Sequence, residues 1–360
     1  MKVLVYLPID TIVRTWARRL EADGHDVRTT FTFSVFCKQV RWADWTLVNA
    51  TKNDAPRYIW KLLLSLLWGR LLGRRIALFI SIDLVDLCDR PLLRAILWAI
   101  NWITFRCPTI VVLLATRRHI AQRYRLPERK LLFVYNCPDR AIFAPTQTRG
   151  RVADLPHKPL TFLYHGEMLW WHGLECFLPI YEGIKRRRAA RLIVTGNFYP
   201  TVFRIFGIVA SGREIAVKHQ LAALLDRDDL HYLGRIPIEQ LRQTMAEADF
   251  HVSLLNDEDI QARTELRTCL LEAMASGMVC LHAATPALSP DIFRDGENIV
   301  FLNPREPAAC ANRILGLADS PDRLEAIRRN ALHTVAKHFD MEVEYRKFLA
   351  RLGETEPVSS

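Results

Sequence analysis

The stretch TELRTCLLEAMASG, Thr264–Gly277, gathers the groups in this sequence best placed to hold a polyanion. Leu271, Met274 and Ala275 fall on one helical face and Gly277 supplies a stop, so a helix is expected to begin near Thr268. The amides of Thr268, Cys269 and Leu270 then lack carbonyl partners in the preceding turn. A helix N-terminus of this kind attracts anions, and Arg263 and Arg267 add positive charge beside it. A diphosphate suits that combination. Glu272, one turn further in, can accept hydrogen bonds from the hydroxyls of a ribose. By pattern alone, the same residues also describe an ordinary amphipathic helix ending at a glycine, and the spacing leaves both readings open.

The elements that must position this helix are legible as an alternation of strands and helices. Val3 to Leu7 is an apolar run suited to a buried parallel strand, followed by a helical pattern through Trp16, Ala17 and Leu20 that Gly24 stops. Further strands are expected in GHDVRTTFTF, from Gly24, and at 45–49, 76–80, 110–114 and 131–135. Residues 145–160 turn polar and carry Pro145, Pro156 and Pro159, which marks a domain boundary. A second series of strands follows at 160–164, 191–195, 230–233, 250–254, 279–282 and 299–302. The expectation is two α/β domains with parallel sheets, 1–150 and 156–340, then a terminal helix over 341–352 and a disordered tail over 353–360. A chain of 360 residues is long enough for two such cores.

Charge divides the chain unevenly. Residues 1–155 hold 25 Lys/Arg against 12 Asp/Glu, a net of +13, whereas residues 156–360 hold 24 against 27, a net of −3. The first half therefore has either an anionic partner or a well-solvated basic surface. Ile59–Gly73, IWKLLLSLLWGRLLG, is too short to cross a bilayer, but its Trp60, Trp68 and flanking Arg74 and Arg75 suit a helix lying in a membrane interface as well as a core helix. The run from Ala95 to Thr116 is interrupted by Asn101, Arg106 and Pro108 and reads as a helix, a turn and a strand. Eight cysteines without a C-x-x-C pair or metal-like spacing point to reduced thiols, with neither a disulfide framework nor a metal site expected. MKVLVYLPID enters a strand at once, so a cytoplasmic location is expected, with peripheral attachment to the inner face of the plasma membrane. The basic half shows no RNA-reading aromatic motif or helix-turn-helix spacing, and no nucleic-acid partner is expected.

Together these motifs resemble the retaining glycosyltransferases of family 4 (group 1), most strongly over residues 160–305. Those enzymes carry two glutamates eight positions apart, the second in a small-residue helix like LEAMASG. Glu272 matches the second, the ribose ligand. Thr264 stands at the earlier position, and Glu265, one residue on, takes the donor-sugar role if the register slips by one. YHGEMLWWHGLECF resembles the strand and loop that open the donor domain, with Gly166 at the turn. Glu167 and His172 stand where the family has an arginine and a lysine on the diphosphate. LIVTGN resembles the family's glycine-ended strand, which places Gly196 at the donor. Arg235 and Ile236, in LHYLGRIPIEQL, fall on the segment lining the base pocket, and Asp291 occupies a position where glutamate is usual. In the first domain the resemblance is looser. Ile82 replaces a sugar-contacting histidine, and the following Asp83 either faces the acceptor or caps a turn.

The resemblance implies a GT-B fold, two Rossmann-like domains whose sheets face a cleft, and retaining transfer from a nucleotide-diphosphate sugar. Glu265, Arg267 and His172 are the implied catalytic residues. Helix amides and basic side chains, rather than a metal or a cofactor, would stabilise the leaving diphosphate. The basic first half points to a lipid-linked or cell-envelope glycan acceptor at an anionic membrane surface. A binding or scaffolding subunit without activity is the alternative implied by the replaced arginine, lysine, first glutamate and histidine.

Overall fold

A computed structural model describes residues 1–7, 11–50, 55–145, 158–169, 171–197, 204–205, 208–209, 212–255 and 260–354. The first series of elements is β1 (Lys2–Tyr6), α1 (Thr11–Ala22), β2 (Asp26–Thr30), α2 (Phe33–Gln39), β3 (Trp45–Ala50) and α3 (Ala55–Leu71). It continues through β4 (Arg75–Ile80), α4 (Pro91–Thr104), β5 (Ile110–Leu114), α5 (Arg118–Arg123) and β6 (Leu131–Val134). The second series runs β7 (Leu160–His165), α6 (Leu174–Lys185), β8 (Ala190–Thr195), β9 (Arg204–Ile205), β10 (Ile208–Val209), α7 (Gly212–Leu225), β11 (Leu230–Tyr232) and α8 (Ile238–Glu247). Next come β12 (Phe250–Ser253), α9 (Ile260–Thr264), α10 (Thr268–Ala275), β13 (Val279–Ala283), β14 (Val300–Leu302), α11 (Pro307–Ala318), α12 (Pro321–His338) and α13 (Met341–Glu354).

Two six-stranded sheets result, ordered β2-β1-β3-β4-β5-β6 and β11-β8-β7-β12-β13-β14, with every neighbouring pair parallel. Runs such as IVVLL at 110–114 are apolar at every position because helices cover both faces of such a sheet. Alternate residues separate the two faces. Leu4, Tyr6, Val48, Leu78, Ile80, Val111 and Leu113 share one cluster with Phe36 of α2 and Leu66 of α3. On the other face Trp16 of α1 meets Phe79 edge-on at 6.4 Å. Right-handed crossovers account for this segregation, since β3, β4 and β5 advance in one direction while β1 to β2 steps back.

The chain divides into two compact units: Met1–Asn136 with Val202–Gly212 and Glu342–Ser360, and Cys137–Thr201 with Arg213–Met341. Most of the polar stretch read as the boundary, residues 146–157, lies outside the described residues. The terminal helix is part of the first unit, which no local pattern announces. In α13, Phe348 stacks on Trp16 with ring centroids 4.3 Å apart, the Tyr345 hydroxyl donates to Asp23 at 2.6 Å, and Glu344 accepts the Tyr135 amide at 3.2 Å. Residues 353 and 354, read as tail, continue this helix, and 355–360 lie outside the described residues. The two-residue strands β9 and β10 form an antiparallel pair that is too short for any period to reveal. Among the described residues, no helix is long and apolar enough to cross a membrane.

Candidate functional site

In an open parallel sheet the carboxyl ends of the strands are where ligands bind. At that end of the second sheet, β7, β8 and β11 turn through three glycines. Gly166 has φ +116° and Gly196 φ +132°, regions open essentially to glycine alone. A Cβ on Gly196 would lie 1.8 Å from the Gly166 carbonyl oxygen, so the two turns are in backbone contact. Hydrogen bonds join them in series: Gly166 N–H to Thr195 O at 3.0 Å, Gly196 N–H to Gly234 O at 2.8 Å, and the Thr195 hydroxyl to Gly234 O at 2.9 Å. Arg235 is exposed and Ile236 half-buried immediately beyond Gly234.

The helix α10 starts at Thr268, with Arg267 as its N-cap in extended conformation. Cys269 and Leu270 are buried and Thr268 half-buried. The Leu270 amide, expected to face a ligand, is donated to the Arg267 carbonyl at 3.2 Å in a tight first turn. Arg263 is exposed on α9. Arg267 is 3% exposed, its guanidinium lying over the Tyr164 ring and donating to the Ser253 hydroxyl at 3.2 Å and the Tyr164 hydroxyl at 3.3 Å. A Cβ on Gly166 would sit 3.1 Å from that guanidinium, so Arg267 places a fixed positive charge against the backbone of the Gly166 turn.

Both candidate glutamates are held by partners from the β7 segment. Glu272 meets His165 Nε2 at 3.1 Å and keeps 18% of its side chain exposed. Glu265 accepts the Trp171 indole N–H at 2.7 Å and lies 3.4 Å from His172 Nε2. His172 also donates through Nδ1 to the Glu167 carbonyl. Burial and the Arg267 charge push its ring below the ordinary imidazole value, against the pull of Glu265. The ring is therefore neutral near pH 7, and its one N–H is committed to Glu167. That corrects the expectation that His172 grips a phosphate: it braces the loop between Gly166 and Gly173, and a neutral imidazole has no second donor. Trp170 lies outside the described residues.

Residues that carried no sequence assignment complete the site. His251 on β12 is wholly buried, sits edge-on to His165 with centroids 4.8 Å apart, and has neither ring nitrogen hydrogen-bonded. His282 on β13 shares the sheet face and donates through Nδ1 to the Ala283 carbonyl at 2.6 Å. A polar residue inside the apolar runs FHVSLL, TFLYHG and VCLHA was the available signal, but only strand pairing brings the three together. Ligand atoms of His165, His251 and Cys269 lie within 4.8 Å of one another, the one such set of three among the described residues. Burial raises the Cys269 thiol to about 11, so it stays protonated, and Arg267 stands close to it. A protonated thiol beside the fixed Arg267 cation is poorly matched to a metal ion.

These buried imidazoles set an acid limit on stability. Burial lowers His282 from 6.5 to about 4 and drives His251 well below 6.5 in the same direction. Because the folded values lie under the unfolded one, the unfolded chain takes up protons first as pH falls. The stability conferred by the neutral rings is complete above pH 6.5 and is lost progressively toward pH 4. His282 alone accounts for about 3 kcal/mol across that window. Urea unfolding followed from neutral to acid pH should show this decline, and H282Q should flatten it; an unchanged slope in H282Q contradicts the assignment.

In the first unit, Asp83, the residue expected on the acceptor side, is 1% exposed. It caps the 3-10 turn Leu84–Leu87 by accepting the Val85 amide at 3.0 Å, and it binds Arg123 at 2.5 Å, Asn101 at 2.9 Å and the Tyr124 hydroxyl at 3.0 Å. Arg123 also pairs with Asp86, which meets His119 Nε2 at 2.9 Å. Both Asp83 oxygens are taken, so the carboxylate organises this turn rather than reaching a substrate.

Residues 159–320 match the family model for glycosyl transferases group 1. No curated protein matches the chain by sequence. Among solved structures, it is similar to HepE from Anabaena in complex with UDP and glucose, at 14% identity and TM-score 0.69, covering 99% of this chain and 100% of that one. Similar, too, are a glycosyltransferase from Rickettsia africae (14% identity, TM-score 0.65, 98% of each chain) and sucrose-phosphate synthase from Thermosynechococcus elongatus (14%, 0.67, 97% of this chain and 98% of that one). At such identities the likeness establishes the fold, two six-stranded parallel α/β sheets of the GT-B class.

Proposed function

We propose that the chain is a GT-B glycosyltransferase that takes a sugar from a nucleotide-diphosphate donor and transfers it with retention at the anomeric carbon, a reading supported by the group 1 family model over residues 159–320 and by the fold. The acceptor is a lipid-linked or cell-envelope glycan at the cytoplasmic membrane face. The observation that carries the donor half of this reading is Glu272. Its carboxylate stands one turn inside α10, oriented by His165 and still partly open to solvent, at the carboxyl ends of β7 and β12. A ribose diol is the complement of a carboxylate so presented.

In this reading the diphosphate lies between the start of α10 and the Gly166 turn, where the absence of a side chain lets phosphate oxygens approach the backbone. Arg267 contributes charge from beneath that turn, and Arg263 is the exposed cation of the same segment. Charge developing on the leaving diphosphate is then met by groups already in place, commonly the largest single contribution to catalysis. Glu265, fixed by Trp171, is assigned to the hydroxyls of the donor sugar. Arg235 and Ile236, beyond the Gly234 turn, flank the base. No cofactor takes part beyond the donor. The acceptor class is supported by the +13 charge of residues 1–155.

A panel of UDP-, GDP- and ADP-sugars tests the donor half. One base should raise the thermal midpoint by a few degrees at about a hundred times its Kd, and its sugar should be slowly released to water. If no nucleotide sugar stabilises the protein or is hydrolysed, the donor assignment is wrong. Loss of the anomeric configuration in the product would refute retention.

A further inference from the structure

We propose that the outer surface of α3 and α4 docks the protein onto an anionic bilayer, with apolar side chains entering the headgroup region and arginine and lysine side chains meeting lipid phosphates. This deepens the membrane part of the function proposed above and stands on residues remote in sequence from the donor site. The two helices are neighbours, and each already spends one face on its own unit. Leu93, Leu97 and Thr104 of α4 are buried, as are Ser65, Leu66 and Gly69 of α3. The opposite faces should be polar, yet they are not. On α4, Leu92 is 77% exposed, Trp98 42% and Trp102 41%, with Ile96 and Ile103 exposed beside them. On α3, Leu71 is 79% exposed, and Leu64 and Trp68 are exposed in the same stripe. Among the described residues, every exposed tryptophan lies on these two helices.

Charge and chemistry select the occupant. Neither α3 nor α4 contains an aspartate or glutamate, and among the side chains described their exposed charges are Lys61, Arg70 and Arg94. At the end of α4 the Arg106 guanidinium lies 3.8 Å from the centroid of the Trp102 ring, a cation held over an aromatic at the edge of an apolar face. The outward residues of α4 include no serine, threonine, asparagine or glutamine; Asn101 turns inward to Asp83. A protein partner needs directional hydrogen bonds at roughly one per 100–200 Å² of contact. Leucine, isoleucine and tryptophan bordered by arginine and lysine instead suit a fluid layer of acyl chains under negative headgroups. At 17 and 14 residues the helices are too short to span a bilayer and would lie along its surface.

Co-sedimentation of the full chain with large vesicles tests this. The protein should pellet with vesicles of equal parts phosphatidylcholine and phosphatidylglycerol and not with phosphatidylcholine alone, and high salt should weaken the binding. W98S/W102S should lower vesicle affinity about tenfold or more. The replaced side chains are exposed, so its thermal midpoint should hold. R94E should weaken binding to the anionic vesicles, while I238S, at an exposed isoleucine of the second unit, should not. Donor hydrolysis by W98S/W102S should remain at the wild-type level; loss of hydrolysis by wild type with vesicle binding intact would instead count against the donor assignment alone. The proposal is overturned if wild type ignores anionic vesicles or if W98S/W102S binds them equally well. It also falls if light scattering shows a dimer that W98S/W102S converts to monomer, since a second copy would then cover the surface.

Discussion

E272A is expected to abolish donor-induced thermal stabilisation and to lower kcat/KM by about a hundredfold, the equivalent of losing two hydrogen bonds to a charged acceptor. The carboxylate is the only anionic group on α10 and remains partly exposed, and His165 holds it in place. Alanine removes both the proposed ribose ligand and the partner of a buried imidazole. E272Q keeps the shape and one acceptor, and should lose about tenfold. Isothermal calorimetry with the preferred donor separates binding from turnover: E272A should raise Kd as much as it lowers kcat/KM, because the ribose is gripped equally before and during transfer. An E272A protein within about threefold of wild type would remove the residue from the donor site, and with it the reading of α10.

G196A is expected to cost more than about 4 kcal/mol, enough to leave the second unit unfolded or insoluble in a domain of ordinary stability. Two independent penalties coincide there. The φ of +132° lies where an L side chain is strained, and the added Cβ meets the Gly166 carbonyl oxygen at 1.8 Å. No rotamer relieves that clash, since the colliding atom is backbone. The turns after β7 and β8 would have to part, breaking the hydrogen bonds that connect Gly166, Thr195, Gly196 and Gly234. G234A is the control: φ is +63° and nothing lies within 4 Å of the new Cβ, so only the left-handed backbone penalty of about 1 kcal/mol applies. Soluble yield and urea midpoints compare the two, and a G196A protein as stable as G234A would show that the turns are not in contact.

Several elements were legible locally for reasons these variants illustrate. The runs at 76–80 and 110–114 are apolar because both faces of a parallel strand are buried, and Gly277, at φ +70°, ends α10 where a left-handed residue is required. The start of α10 at Thr268 and the strand–helix alternation of both halves follow from hydrophobic period and glycine punctuation, which act over a few residues. Ile76–Ile80 is read as a strand from its own composition, with its neighbours irrelevant to the reading. The motif LEAMASG likewise places Glu272 on a helix of the second sheet without reference to any distant residue.

Local pattern could not say which polar groups would meet. Glu272 finds His165 across 107 positions and Glu265 finds Trp171 across 94, pairings fixed only when β7 and β12 become neighbours. His172 stood where a diphosphate contact was expected, but burial and Arg267 keep its ring neutral, and its Nδ1–H donates to a carbonyl five residues back. Asp83 read equally as an acceptor-side carboxylate or a turn cap, and the cap, closed over by Arg123 and Tyr124, is what the fold forms. Which face of α4 would stay exposed was equally hidden, because an all-round apolar helix gives no sign of which face the sheet will cover. Sequence by itself determined the order and type of the elements, through short-range periodicity and backbone preference. Tertiary structure alone decided the charge state, partners and exposure of the side chains that do chemistry, because desolvation and pairing depend on neighbours that the linear order keeps far apart.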